Sequence, residues 1–296
     1  MKVVILGATG MLGHKLAQGF SARFSVLATV RGPAALHVDR PVFAGTQLVG
    51  GVDARDFDSV LRAIEETEPD VVVNCIGIVK QLEAAKHPIP CMELNALFPH
   101  RLAQYCRESR IRLIHISTDC VFSGKTGMYT EDDVPDAADL YGRTKLLGEV
   151  GSPGCLTLRT SIIGRELRTS NGLVEWLLAQ EGGQVRGYRK AVFSGFTTGA
   201  LATIIGDVIS NHTDLDGLWH VASEPITKYE LLLLIRDAYD LNVEISPADD
   251  PVCDRSLDGS RFQSATGLVV PSWSKMIQEM ADDPTPYDQI RDSGSD

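Results

Sequence analysis

Apolar positions in the first half of the chain fall into short unbroken runs, and between the runs they recur at helical spacing. Val3-Val4-Ile5-Leu6 is the first run, and Gly7 cuts it off. An apolar run closed by glycine predicts a buried strand of a parallel sheet. Residues 14–20 then carry their apolar side chains at the spacing of one helix face. The rhythm repeats, with strands predicted over 24–30, 70–76 and 111–117 and helices over 58–66 and 91–108. Such alternation predicts the α/β class, with a doubly wound parallel sheet and helices on both faces. After a further strand over 158–163 the rhythm loosens. Helices are expected over 172–180, 198–209 and 229–239, with short strands over 217–222 and 243–245. Residues 282–296 are polar and interrupted by proline, so a disordered tail is expected there.

The first strand-to-helix turn reads Gly7-Ala-Thr9-Gly10-Met11-Leu12-Gly13. Glycines in such a turn let the backbone approach a pyrophosphate, which sits at the positive end of the following helix. Gly7, Thr9, Gly10, Met11, Leu12 and Gly13 are therefore the first candidate dinucleotide contacts. Ligands of these sheets bind at the carboxyl ends of the strands, where Gly7, Arg31, Gly77 and Thr118 all fall. At the end of the second strand an acidic residue would favour NAD. Here the chain reads Ala28-Thr-Val-Arg31. A guanidinium pairs with a 2′-phosphate and stacks on adenine, so NADP is the expected cofactor and NAD the alternative.

Tyr141 and Lys145 stand four apart on a predicted helix, 23 residues after Thr118. That spacing puts phenol and ammonium on one helix face. A cation beside the phenol is expected to lower its pKa towards a usable proton donor, with the Thr118 hydroxyl bonding the same substrate oxygen.

With Asp53, Asn74-Cys75-Ile76-Gly77, Asn95 and Leu158-Arg159-Thr160-Ser161, these motifs resemble the extended short-chain dehydrogenase/reductases. The resemblance covers residues 1–280 and is nearest to the dTDP-4-dehydrorhamnose reductase group. It implies a Rossmann NADP-binding domain over 1–162, to which 191–222 returns, and a smaller α/β substrate domain over 163–281. It implies that Asp53, with Ala54 beside it, meets the adenine amino group. Cys75, Ile76 and Gly77 lie beneath the adenosine ribose, and Asn95 shapes the region near Lys145. Lys145 also holds the nicotinamide ribose. The implied reaction is reduction of the 4-keto group of a nucleotide-diphospho-4-keto-6-deoxyhexose, in deoxysugar and cell-surface polysaccharide synthesis, with Tyr141 as proton donor. Arg168, Asn171 and Arg189 would hold the substrate, and Trp176 is expected in the core.

The residue after Asp119 separates the relatives. Sugar 4,6-dehydratases carry glutamate there and rhamnose reductases usually an aromatic. The chain has Cys120. Related epimerase/reductases use a cysteine at this position with a later histidine, but Ser170-Asn171-Gly172-Leu173 supplies none. Simple reduction is the primary reading, and a bifunctional epimerase/reductase using Cys120 is the second. A non-catalytic NADP-binding regulatory subunit, like that of methionine adenosyltransferase, is the rival of another class. A redox-sensing NADP-binding protein is the remaining one.

Composition narrows the partners. The 296 residues carry a formal net charge of −11 without a basic cluster, which argues against nucleic acid. No apolar run approaches the roughly 20 residues of a membrane span, and Met1 leads straight into a core strand. A cytoplasmic protein without a membrane partner is expected. The six cysteines show no Cys-x-x-Cys pair, so reduced thiols and no metal are expected. Some members of the resembled group dimerise through metal-bound glutamates, one of them just after the third glycine. Lys15 stands there, so a homodimer of that kind is not expected, although a homodimer remains the candidate assembly.

Overall fold

The computed structural model of the chain describes residues 1–292. β1 (Lys2–Leu6) passes through the glycine turn into α1 (Met11–Phe20), β2 (Ser25–Thr29) and β3 (Gln47–Val49). α2 (Phe57–Thr67) and β4 (Val71–Asn74) follow. Next come α3 (Pro88–Cys91), a π-helical turn over Met92–Leu97, and α4 (Phe98–Glu108). β5 (Arg112–Thr118), α5 (Leu140–Leu147) and β6 (Cys155–Thr160) complete the regular half.

The second half opens with β7 (Ile162–Ile163), α6 (Leu173–Leu178), β8 (Gln184–Tyr188), β9 (Ala191–Phe193) and β10 (Phe196–Thr197). α7 (Thr198–Asn211), β11 (Gly217–His220), β12 (Ile226–Thr227) and α8 (Lys228–Ala238) come next. β13 (Glu244–Ala248), β14 (Cys253–Asp254), α9 (Ser260–Thr266), α10 (Trp273–Ala281) and α11 (Tyr287–Asp292) close the described chain.

Seven strands form one parallel sheet in the order β11-β6-β5-β4-β1-β2-β3. The order turns back between β1 and β4, and a crevice opens at such a switch point outside the carboxyl ends of the strands. Alternation along β1 divides the core: Val3 and Ile5 face α1 and α7, whereas Val4 and Leu6 face α2 and α4. The second half adds small sheets. β8 pairs with β13, β9 lies between β12 and β14, and β10 pairs with β7. β11 joins the main sheet beside β6, in register from Gly217 against Leu156 to His220 against Arg159.

The disordered tail expected over 282–296 is corrected as far as residue 292. Tyr287 and Ile290 are buried there. The Tyr287 hydroxyl donates to Asp283 Oδ2 at 2.8 Å and lies 3.1 Å from His14 Nε2. Lys15 Nζ reaches the same Asp283 oxygen at 2.9 Å. Buried Tyr287, against His14 of α1, and buried Ile290 seat this polar stretch on the body. Residues 293–296 lie outside the described residues. Trp176, expected in the core, is instead 39% exposed; Val174 and Leu177 supply the inner face of α6. β3, a three-residue edge strand, carries too short an apolar run to be read from the sequence.

Candidate active site

The site lies where β1, β4 and β5 end. At the first of these, Gly7 has φ +83°, and the Gly10 amide donates to Gly7 O at 3.1 Å. A Cβ on Gly13 would collide with Gly7 O, so only glycine lets α1 begin this close to the strand. α1 has no side-chain cap. The first amides of a helix have no intrahelical partner, and together with the helix dipole they suit an anion. A pyrophosphate fits this cradle.

Around the cradle, Asn74 Oδ1 accepts from the Ile76 amide at 3.0 Å and shapes the Asn74–Gly77 loop. Arg31 is exposed at the β2 end. Asp53 is not free. Its Oδ1 accepts from the Arg55 backbone at 3.0 Å and from Arg55 Nε at 3.1 Å. These Arg55 hydrogen bonds pull the Asp53 carboxyl down to about 2. Ala54 is only partly exposed beside it.

The catalytic candidates meet at the end of β5. Thr118 caps a 3₁₀ turn over Asp119–Val121, its hydroxyl oxygen accepting from the Cys120 amide at 3.1 Å. α5 is capped by Asp139, which accepts from Gly142 N at 2.8 Å and is paired with Lys80 at 2.7 Å. A Cβ on Gly148 would strike Asn95 O, so α5 and the π-helical turn come together only because glycine stands there. Asn95, fully buried, is fixed by Ile78: its Oδ1 accepts from Ile78 N at 2.8 Å and its Nδ2 donates to Ile78 O at 3.1 Å. Lys145 Nζ donates to Ile116 O at 2.7 Å. Gly77 lies against both Asn95 and Lys145.

Burial brings the Lys145 ammonium down to about 8. The expectation that Lys145 lowers the Tyr141 phenol is corrected: burial, followed by Cys120, pushes the phenol above its ordinary range. The neighbouring Thr118 hydroxyl, which donates to Asp119 Oδ1 at 3.1 Å, pulls the other way. A phenol held so remains protonated at neutral pH, which is the state a proton donor needs. Burial, followed by the Asp119 charge, pushes the Cys120 thiol up to about 12. Cys120 is therefore a neutral thiol and not a ready base.

Thr118, Cys120, Tyr141, Lys145, Asn95 and Gly77 thus converge, and the glycine turn forms the adjoining cradle. The proposed substrate contacts do not gather in the same way. Arg168 and Asn171 are exposed, and Arg189 is held by Asp249 at 2.8 Å. Two cations stand closer to the catalytic turn. Arg255 Nε donates to Phe122 O at 2.8 Å. Lys228 lies within the electrostatic reach of Asp119 and Cys120, with its ammonium 5.3 Å from the Phe193 ring centroid. Both were missed in the sequence. Lys228 left one signal: it opens a helix directly after the Thr227 cap, where the dipole opposes a cation.

Behind the site, Glu149 binds Arg159 through both oxygens at 2.7 Å and accepts from the Ser117 hydroxyl at 2.6 Å. Arg159 lies over the Phe122 ring at 5.4 Å. Among the described residues no group of three or more His, Cys, Asp or Glu could hold a metal ion, and no helix is long and apolar enough to cross a membrane.

The RmlD substrate binding domain family model matches residues 1–285. A probable low-salt glycan biosynthesis reductase, Agl14, of Haloferax volcanii is 28% identical over 76% of this chain and 75% of its own. Methionine adenosyltransferase 2 subunit beta of Danio rerio is 30% identical over 81% of this chain and 74% of its own. Among solved structures, dTDP-4-dehydrorhamnose reductase from Bacillus anthracis str. Ames in complex with NADP has a TM-score of 0.76. It is 20% identical and covers 94% of this chain and 98% of that one.

Proposed function

The chain belongs to the RmlD substrate binding domain family, and on that footing we propose that this oxidoreductase reduces the 4-keto group of a nucleotide-diphospho-4-keto-6-deoxyhexose with NADPH. One observation carries the reading: Thr118, Tyr141 and Lys145 come together beside a glycine cradle that fits a dinucleotide pyrophosphate. When bound, NADPH supplies the hydride. NADP is favoured over NAD by Arg31, in keeping with the NADP complex of the structural relative.

As the ketone oxygen gains charge, Tyr141 gives it the phenolic proton and the Thr118 hydroxyl bonds it. Lys145, anchored on Ile116 O, turns its remaining donors to the nicotinamide ribose. Gly7, Thr9, Gly10, Met11, Leu12 and Gly13 take the pyrophosphate, while Cys75, Ile76 and Gly77 form the floor beneath the adenosine ribose. Asp53 and Ala54 line the adenine edge, with Asp53 still bound to Arg55. Lys228 and Arg255 supply the positive charge that a substrate diphosphate needs, with Arg168 and Asn171 at the rim and Arg189 turned to Asp249. Cys120 lines the pocket as a neutral thiol, which favours simple reduction over epimerisation. The reading places the enzyme in the cytoplasm, acting on a small nucleotide-sugar.

A second reading draws on the methionine adenosyltransferase beta relative, in which the chain would bind the dinucleotide as a regulatory subunit. The retained Tyr141, Lys145 and Thr118 speak for catalysis, since binding alone needs no proton donor. The deciding experiment is NADPH oxidation by the purified protein against a panel of nucleotide-diphospho-4-keto-6-deoxysugars in deuterated water. Oxidation without deuterium at C3 or C5 is expected. Deuterium at either carbon would return Cys120 to an epimerase role. Tight NADPH binding without oxidation of any member would favour the regulatory reading.

A further inference from the structure

The glycine turn is held from beneath by the far end of the chain. Gly10, the residue before α1, is extended, with φ −74° and ψ 167°. Its carbonyl takes two donors from one residue, the His14 amide at 3.2 Å and His14 Nδ1 at 2.9 Å. A carbonyl only accepts, so the proton of a neutral imidazole sits on Nδ1 and Nε2 is left as an acceptor. Nε2 lies 3.1 Å from the hydroxyl of Tyr287. His14 is fully buried, and a buried ring nitrogen stripped of its partner costs free energy.

Tyr287 is fixed in its turn. Its hydroxyl has one proton for two acceptors, His14 Nε2 and Asp283 Oδ2, and that carboxylate oxygen also takes Lys15 Nζ at 2.9 Å. Asp283 therefore keeps a donor when the phenolic proton turns to His14. The phenol ring meets the imidazole edge-on, with centroids 5.6 Å apart. Arg165 covers the ring, its guanidinium carbon 4.7 Å from the centroid and its Nε donating to buried Glu175 at 2.6 Å.

What this hold does for the cradle follows from the peptide unit. The carbonyl and the amide of one planar trans peptide point in opposite directions. Gly10 O is drawn along the helix onto His14, so the Met11 N–H of the same peptide is aimed the other way, out of the first turn. There it has no intrahelical partner and is free for an anion.

Resting on the dinucleotide reading above, we propose that Tyr287 is a positioning residue for the cofactor: through the His14 ring it fixes the Gly10–Met11 peptide, and with it the amide offered to the pyrophosphate. The α11 segment, 273 residues beyond His14, thereby acts on the ligand through α1.

The test measures binding and not turnover. Calorimetry titrates NADPH, NADH and ADP-ribose, which share the pyrophosphate, and 2′-AMP, which lacks it, into the wild-type chain and Tyr287→Phe. That variant keeps the ring and removes the hydroxyl alone. The three pyrophosphate ligands are expected to weaken together by about 3- to 10-fold, the worth of one hydrogen bond, with 2′-AMP unchanged. Unchanged affinities beside a lowered urea midpoint would overturn the proposal, because Tyr287 would then be an anchor of the fold alone. Equal loss of 2′-AMP would overturn it too, since the whole site would have loosened. Should the variant not fold, nitrogen NMR of the wild-type His14 ring decides. The Nδ1–H tautomer is expected at neutral pH, with a shift on adding NADPH. The Nε2–H tautomer, or a ring that does not respond, would overturn the proposal. A wild-type chain that binds none of the pyrophosphate ligands would defeat the dinucleotide reading along with it.

Discussion

The proposed reaction asks Tyr141 for a proton, which it can give only in its protonated form, and the surroundings of the phenol keep it there. Burial raises the phenol, and the nearby Cys120 adds to the rise. Tyr141→Phe should therefore lower kcat by about 10²- to 10⁴-fold while NADPH affinity stays within about twofold. Single-turnover kinetics and a binding titration check both halves, and full turnover in the variant would remove Tyr141 from the mechanism. Thr118, Tyr141 and Lys145 were legible in the sequence because helix geometry and strand ends set their positions locally. Arg189 was not, because the Asp249 that holds it lies 60 residues along the chain. The raised phenol was not legible either. Spacing shows which groups are neighbours, but burial is a property of the folded whole.

Elements carry the site by gripping one another through a few polar side chains. Glu149, just after α5, holds Arg159 on β6, where the guanidinium is 3% exposed. Glu149→Gln should destabilise the fold by about 3–5 kcal/mol, because it leaves a buried cation without its carboxylate. Urea denaturation measures this. Replacing Arg159 by Met in the same chain should recover part of the loss, and a neutral single variant would show that the pair contributes nothing. A second grip joins α1 to α11. His14 is fully buried, and burial brings its imidazole down to about 4 from 6.5. Because the folded-state pKa is depressed, the unfolded chain binds the proton first as pH falls. Stability is whole above pH 6.5, falls between 6.5 and 4, and below that is lower by up to about 3 kcal/mol. Asp283, lowered to about 2, adds its own loss only below about pH 3.8. Thermal melts from pH 7 to 4 should show this slope together with that of buried His115, and His14→Gln should make it shallower by the share of one imidazole. The helices and strands themselves were readable wherever apolar runs were long. The split of residues 88–108 into α3, a π-helical turn and α4 was not, since it answers to the close approach of Gly148.

Across the whole molecule, the parallel sheet and its switch point followed from the alternation of strands and helices, while the seating of residues 282–292 did not. Truncation after residue 281 should lower stability by several kcal/mol, given about 1.5–3 kcal/mol for burying each of Tyr287 and Ile290 and the loss of the Asp283 contacts. An unchanged urea midpoint in the truncated chain would show that this segment rests on the body without supporting it. The contact between His14 and Tyr287 also spans 273 residues. At about 5–20 residues per second, a ribosome needs roughly 15–55 s to travel that distance. Throughout that interval the helix beneath the dinucleotide cradle has been made and its last partner has not, so the polar flank of α1 waits open on the nascent chain until synthesis is almost over.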